Sequence, residues 1–123
     1  MILIGDKLVP YENITFIDNI DKIKQTAPNS TVSFRFNEEL LKYCFDNSIN
    51  SAVLVNSVKE SIYCNALNSK YIIANRNLAI DIQKVAENYM YDSKVLAIIV
   101  SNTEIEQVAS NEIDGVIYNN LLK

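Results

Sequence analysis

From residue 31 onward, short apolar runs alternate with stretches whose apolar residues recur at helical spacing. The runs begin near residues 32, 52, 71, 95 and 116, which gives βα units of about 20 residues. Two of them, 52–55 and 96–100, are apolar without interruption, as strands are when both faces of a parallel sheet are covered. The pattern predicts one α/β domain over residues 1–123. We expect a three-layer α/β/α arrangement with a mostly parallel sheet of five or six strands, in which right-handed crossovers place helices on both faces.

The stretches between the runs have the period of amphipathic helices. The clearest covers residues 78–89, where five apolar side chains share one face: Leu78, Ile82, Val85, Ala86 and Tyr89. Further helices are predicted at 38–46, 58–66, 105–109 and, more briefly, 18–24. Ser57 and Thr103 each stand three positions before a glutamate, the spacing of a capping box. Asp18 is the expected N-cap of the short helix.

The N-terminal residues give a weaker strand signal. Ile2, Leu3 and Ile4 predict an edge strand or, together with Leu8 and Val9, a small hairpin that Pro10 ends. A second short strand is expected at 14–17, and it leads into the brief helix at 18–24, which stops before Pro28.

Charge and apolar run length exclude two classes of partner. The chain has 11 basic and 15 acidic residues, so it lacks the excess of cations needed to neutralise phosphates, and we expect no nucleic-acid partner. The longest apolar stretch, 95–100, is far shorter than the roughly 20 residues that cross a bilayer, so we expect no membrane partner. No basic leader precedes the first strand and there are only two cysteines, which predicts a cytoplasmic protein without a disulfide framework.

Two absences restrict the chemistry further. The chain has no histidine, the most common general base and metal ligand. Its two glycines, Gly5 and Gly115, are too far apart to form a glycine-rich phosphate loop of the Rossmann or P-loop type. We therefore expect neither a cofactor nor a metal site.

Polar residues follow the apolar runs with unusual regularity. In an open parallel sheet the carboxyl ends of the strands line the crevice where ligands bind. Asparagine is also a preferred helix N-cap, and capping explains the same positions without a ligand. Three cations lie near this edge as well: Arg35, Lys59 and Arg76. The alternative for Arg35 is an exposed arginine or one that pairs with Glu38 or Glu39. The candidate ligand-binding residues are Arg35, Asn37, Asn56, Lys59, Asn75, Arg76 and Asn102.

Cys44 and Cys64 lie within predicted helices and not at helix N-termini. A buried thiol with no neighbouring cation has a raised pKa and low nucleophilicity. We expect both cysteines to pack in the core. Tyr89 and Tyr91, at the end of the clearest helix, suggest either a contact patch for a partner or aromatic rings that close the edge of the core.

Two families show partial resemblance. The length and the five-fold alternation resemble receiver domains of two-component signalling, but Asn56 stands where their phosphate-accepting aspartate belongs and Ser101 where their lysine belongs. The stretch 94–118 resembles the closing βα unit of a TIM barrel, with Glu104-Ile-Glu106 leading to Ile113-Asp-Gly-Val-Ile117. A complete barrel takes about 250 residues, so no residue roles are transferred from either family.

Two functional hypotheses follow. The first is a non-catalytic module that binds a ligand or a protein partner, with a second copy of the chain as one expected partner. The alternative is a small enzyme in which Arg35, Lys59 and Arg76 hold an anionic metabolite and Asp18 or Glu38 acts as general base. The sequence assigns no catalytic residue.

Overall fold

Seven parallel β-strands form one sheet in this computed structural model, which describes all residues 1–123. Each strand pairs with its neighbours in parallel. The strands are β1 (Ile2–Ile4), β2 (Ile14–Phe16), β3 (Thr31–Arg35), β4 (Ser51–Leu54), β5 (Tyr71–Ala74), β6 (Lys94–Ile99) and β7 (Gly115–Tyr118).

A helix lies between each pair of successive strands from β2 to β7. The helices are α1 (Ile20–Lys24), α2 (Glu38–Asp46), α3 (Val58–Ala66), α4 (Arg76–Asn88) and α5 (Ile105–Ser110), with 3₁₀ turns at Asn102–Glu104 and Asn119–Leu121. The α/β class, the parallel sheet and the units of about 20 residues are confirmed. The sheet has seven strands where five or six were expected, because both short N-terminal segments become strands. None of the helices, of which α4 is the longest with 13 residues, combines the length and hydropathy needed to cross a membrane.

The strands follow one another across the sheet in a single direction. Their order is β1-β7-β6-β5-β4-β3-β2, so β2 and β1 form the two edges. The sheet is curled, and the 3₁₀ turn Asn119–Leu121 after β7 reaches across to contact β2. A strand order that advances without reversal is found in the sheet of a β/α barrel. The flavodoxin-like order of receiver domains, in contrast, reverses direction within the sheet.

All five helices pack on the convex face of the curled sheet. The larger core cluster contains residues of every helix together with one alternating set of strand residues, including Val32, Ile72 and Val95. The smaller cluster lies on the concave face and contains no residue of an α-helix. The expected helices on both faces are therefore corrected to helices on one face. Right-handed crossovers that always advance in the same direction place every helix on the same side.

The concave face is filled by aliphatic side chains. Ile4, Ile73, Leu96 and Ile117 alternate with the convex-face residues of their strands and pack with Leu122, which follows the last 3₁₀ turn. The third layer expected from the sequence is thus replaced by side chains of the sheet and the C-terminal residues.

The edge strand β1 approaches β7 closely at Gly115. A Cβ atom at this position would lie 2.4 Å from the backbone oxygen of Ile2 and 2.6 Å from the Ile2 Cβ atom. Ile2 and Gly115 are register partners. Glycine therefore allows β1 to pair with β7, which makes β1 an edge strand and not half of a hairpin.

Side-chain caps mark the helix starts. Asn37, Ser57 and Asn75 accept hydrogen bonds from the backbone N–H groups of Leu40, Glu60 and Leu78. Two predicted caps were wrong by one or two positions. Asn19 caps α1 while Asp18 pairs with Lys22, and the last capping box is formed by Ser101 and Glu104. The first cap thus lies one residue after its predicted position, and the capping box begins two residues before its predicted position.

Candidate functional site: a cleft at the carboxyl rim

A cleft of about 410 Å³ opens at the carboxyl rim, the edge of the sheet where the strands end. It lies beside the ends of β1, β6 and β7. This volume falls within the range of about 300–1,000 Å³ that small-molecule sites occupy. The cleft is lined by Gly5, Asp6, Lys7, Leu8, Val100, Asn102, Tyr118 and Asn120.

The wall formed by residues 5–8 is held in place by the carboxylate of Asp6. The backbone N–H of Leu8 donates to Asp6 Oδ1 over 2.8 Å, and the hydroxyl of Tyr118 donates to Asp6 Oδ2 over 2.7 Å. The hydrogen bond from Leu8, followed by that from Tyr118, lowers the pKa of Asp6. The bond to Asp6 in turn raises the pKa of Tyr118. Asp6 is therefore an anion at neutral pH and Tyr118 a neutral hydroxyl.

Gly5 gives this wall its shape. Its φ angle is +96°, a conformation that side-chain-bearing residues rarely adopt. A Cβ atom at Gly5 would also lie 3.0 Å from both Leu121 Cδ1 and Tyr118 Cβ. The chain can thus turn sharply out of β1 and bring Asp6 against Tyr118.

The opposite wall is fixed by Glu104. Its Oε2 atom accepts hydrogen bonds from the backbone N–H groups of Val100 and Ser101, over 2.7 and 2.9 Å. These bonds lower the pKa of Glu104. Arg76 donates to Gln107 Oε1 over 2.6 Å, and its Nε atom lies 3.9 Å from Glu104 Oε1. Asn102 lies between Val100 and Glu104 in the chain and lines the cleft.

The predicted asparagines have different environments. Asn37 and Asn75 cap α2 and α4, as the capping alternative predicted. Asn56 donates its backbone N–H to Glu60, and the cap of α3 is its neighbour Ser57. Of the four asparagines among the candidate residues, Asn102 lines the cleft.

The three predicted cations do not line this cleft. Arg35 lies on the concave face at the end of β3, because its strand neighbour Phe34 belongs to the convex-face core. Lys59 lies on the exposed side of α3. The Arg76 guanidinium is engaged by Gln107 and Glu104. The three side chains therefore belong to different surroundings.

Both cysteines are buried, as expected. Burial raises the pKa of the Cys44 thiol to about 11 and that of the Cys64 thiol to about 12. Neither residue lines the carboxyl-rim cleft. They contribute to core packing and not to the chemistry of the cleft.

Four polar side chains of the cleft were missed by the sequence reasoning: Asp6, Lys7, Tyr118 and Asn120. The available signal was the Gly5-Asp6 pair directly after an apolar run, since glycine followed by a short polar residue marks a turn at a strand end. What the local pattern does not contain is the pairing of β1 with β7, which brings Asp6 to Tyr118 from 112 positions away.

The arrangement favours hydrogen bonding over acid–base or metal chemistry. The cleft combines one carboxylate, one ammonium group, one hydroxyl and two side-chain amides. No three histidine, cysteine, aspartate or glutamate residues are grouped so that they could hold a metal ion. Comparison of the chain with protein-family models and with curated proteins gives no match.

Proposed function

We propose that the protein is a non-catalytic binding module that holds a small polar ligand in the carboxyl-rim cleft. The observation that carries this proposal is the cleft itself, with Asp6 fixed to Tyr118 and with Asn102 and Asn120 on its lining. A site that presents a few polar groups in this way binds through a few directed hydrogen bonds.

The charges of the cleft favour a neutral or zwitterionic ligand. The Asp6 carboxylate repels an anion, while the adjacent Lys7 ammonium repels a cation. A ligand that carries hydroxyl groups, or both an amine and a carboxylate, satisfies both charges and both amides. This differs from the anionic metabolite of the enzyme hypothesis, which needs Arg35, Lys59 and Arg76 in one place.

A ¹⁵N NMR titration separates the two functions with four probes: serine, glycerol, inorganic phosphate and succinate. We expect serine or glycerol to shift the NMR signals of the backbone amides of residues 5–8 and of the side-chain amides of Asn102 and Asn120. Shifts caused by phosphate or succinate at Arg35 and Arg76 would instead favour the enzyme hypothesis. If none of the probes perturbs the cleft, the proposed function is wrong.

Matched variants test the assignment to this cleft. Asn102→Ala and Asn120→Ala should each weaken binding of the active probe about fivefold, since one lost hydrogen bond is worth about 1 kcal/mol. Asn88→Ala is the control because Asn88 is exposed in the last turn of α4, at the opposite rim of the sheet. Equal loss of binding in the control would contradict the assignment.

A further inference from the structure

Helix α3 turns an apolar stripe toward solvent. Ile62 and Tyr63 are 50% and 47% exposed, and Ala66 is exposed as well. With Lys59 they occupy positions i, i+3, i+4 and i+7, which form one face of a helix. The opposite side of α3 buries Ser61 and Cys64. The helix thus leaves apolar residues uncovered while smaller, more polar ones face the core.

Exposed apolar residues also lie at the ends of both neighbouring helices. Phe45, in the last turn of α2, is 41% exposed, and Tyr89 and Met90, after α4, are 72% and 84% exposed. Between α2 and α3, an apolar groove of about 210 Å³ includes Tyr63 and Leu41 in its lining. An exposed apolar helix stripe beside an apolar groove is typical of an interaction site.

The charges of α3 are suited to a second α3 that runs antiparallel to it. Lys59 lies in the first turn, where the helix dipole disfavours a cation, and none of the four ion pairs in the structure involves it. The last turn of α3 contains no basic residue. An antiparallel copy brings each Lys59 to the negatively polarised end of the other helix.

We propose that a second copy of this chain covers this face, with the two α3 helices antiparallel about a twofold axis between Ile62 and Tyr63. In a twofold interface, if residue i contacts residue j, then j contacts i. Lys59 then lies over the small side chain of Ala66 of the partner subunit, and its methylene stem packs while its ammonium group reaches the helix end. Ile62 and Tyr63 pack around the axis. This inference is independent of the proposed ligand function, because the face lies outside the carboxyl-rim cleft.

Sedimentation equilibrium across a concentration series tests the proposal. The mass should rise from 13.9 kDa toward twice that value as concentration increases. A contact centred on one helix of nine residues buries little surface, so we expect a weak dimer. A constant monomer mass up to about 1 mM would overturn the proposal, since a Kd of 1 mM corresponds to only about −4 kcal/mol.

Two variants and one control identify the face. Ile62→Asp should keep the far-UV circular dichroism of the native protein and remain monomeric at every concentration. Lys59→Glu should also reduce association at least about tenfold while making the isolated monomer no less stable, because an acid suits the first turn of a helix. Tyr11→Asp, at a residue of similar exposure outside the three helices, should still dimerise. If Tyr11→Asp abolishes association and Ile62→Asp does not, the interface lies elsewhere and the proposal is wrong.

Discussion

The hydroxyl of Tyr71 donates a hydrogen bond to the Oε1 atom of Glu12, a residue 59 positions earlier in the chain. Glu12 precedes β2, and its Oε2 atom accepts from the Thr31 hydroxyl and from the Lys70 ammonium group, each over 2.9 Å. One carboxylate therefore ties the chain ahead of edge strand β2 to the starts of β3 and β5. This cluster lies at the amino rim, where the strands begin.

Glu12→Gln should destabilise the protein by about 2 kcal/mol. The amide has one acceptor oxygen where the carboxylate has two, so it cannot accept from Tyr71 on one side and from Thr31 and Lys70 on the other. It also loses the negative charge, and hydrogen bonds to charged groups are worth about 1.5–3 kcal/mol. Urea unfolding monitored by circular dichroism measures the change. Glu87→Gln is the matched control, because Glu87 is exposed near the end of α4; it should shift stability by less than about 0.5 kcal/mol.

The contribution of Glu12 should depend on pH in a defined direction. Burial raises the pKa of Glu12, but the hydrogen bonds from Tyr71, Lys70 and Thr31 outweigh it and leave the pKa below its ordinary value of 4.5. A carboxyl group with a depressed folded-state pKa contributes stability that is fully present above its unfolded pKa and is lost as the pH falls through the folded one. The stability gap between the native protein and Glu12→Gln should therefore be constant from pH 8 to about 6 and shrink below about 4.5. A gap that widens in acid would contradict this role.

Alanine substitutions of the three strand-end asparagines should reduce stability by different amounts. Asn37→Ala and Asn75→Ala should each cost about 1 kcal/mol because each removes the cap of a helix. Asn56→Ala should cost less than about 0.5 kcal/mol, since only its backbone N–H is used. Thermal unfolding of the three variants under one condition provides the comparison, and equal losses at all three positions would argue against the capping roles.

Gly115→Ala should destabilise the protein by about 3 kcal/mol. The added methyl group meets the backbone of β1, which cannot move without breaking its pairing with β7. Hydrogen exchange should show early loss of protection in β1, including the amide of Ile2, which donates to the backbone oxygen of Asp114. Ser110→Ala, at an exposed helix position, is the control. Unchanged protection in β1 would mean that the strand accommodates the methyl group.

The two cysteines should resist alkylation in the native protein. A pKa of about 11 at Cys44, compared with an ordinary value of 9.0, reduces the thiolate population about 100-fold at pH 8 before steric protection is counted. Iodoacetamide labelling followed by mass spectrometry should show reaction only after addition of urea. An engineered Ser110→Cys variant should label at its new, exposed thiol without denaturant. Fast labelling of the native thiols would show that the helices open readily.

Local sequence patterns predicted the strands and helices, but not the face of the sheet on which the helices pack. The apolar runs near residues 32, 52, 71, 95 and 116 coincide with β3 to β7 to within a residue or two, because buried parallel strands have an unmistakable composition. The side of the sheet on which a helix packs depends on the direction in which the next strand is added. Nothing local to α2 or α3 records that direction, so the two-sided arrangement was expected and a one-sided one is found.

The cleft shows the same distinction between local and long-range information. Placing candidates at strand ends led to Asn102, but the wall opposite it comes from residues 5–8, at the other end of the chain. Asp6 reaches Tyr118 only because Ile4 and Ile117 are register partners. A pairing between the first and last strands leaves no periodic signature, so the sequence could mark a turn at Gly5-Asp6 but not its position beside Tyr118.

The pairing of β1 with β7 also affects how the chain is made. Of the seven strands of this sheet, β1 leaves the ribosome first, whereas the strand it pairs with emerges last of the seven. The growing chain must therefore keep the three apolar residues of β1 unpaired while the other strands assemble in order. Docking of β1 then becomes a late step in folding, and a nascent chain stalled before Gly115 should present an open edge at β6 to chaperones or to other chains.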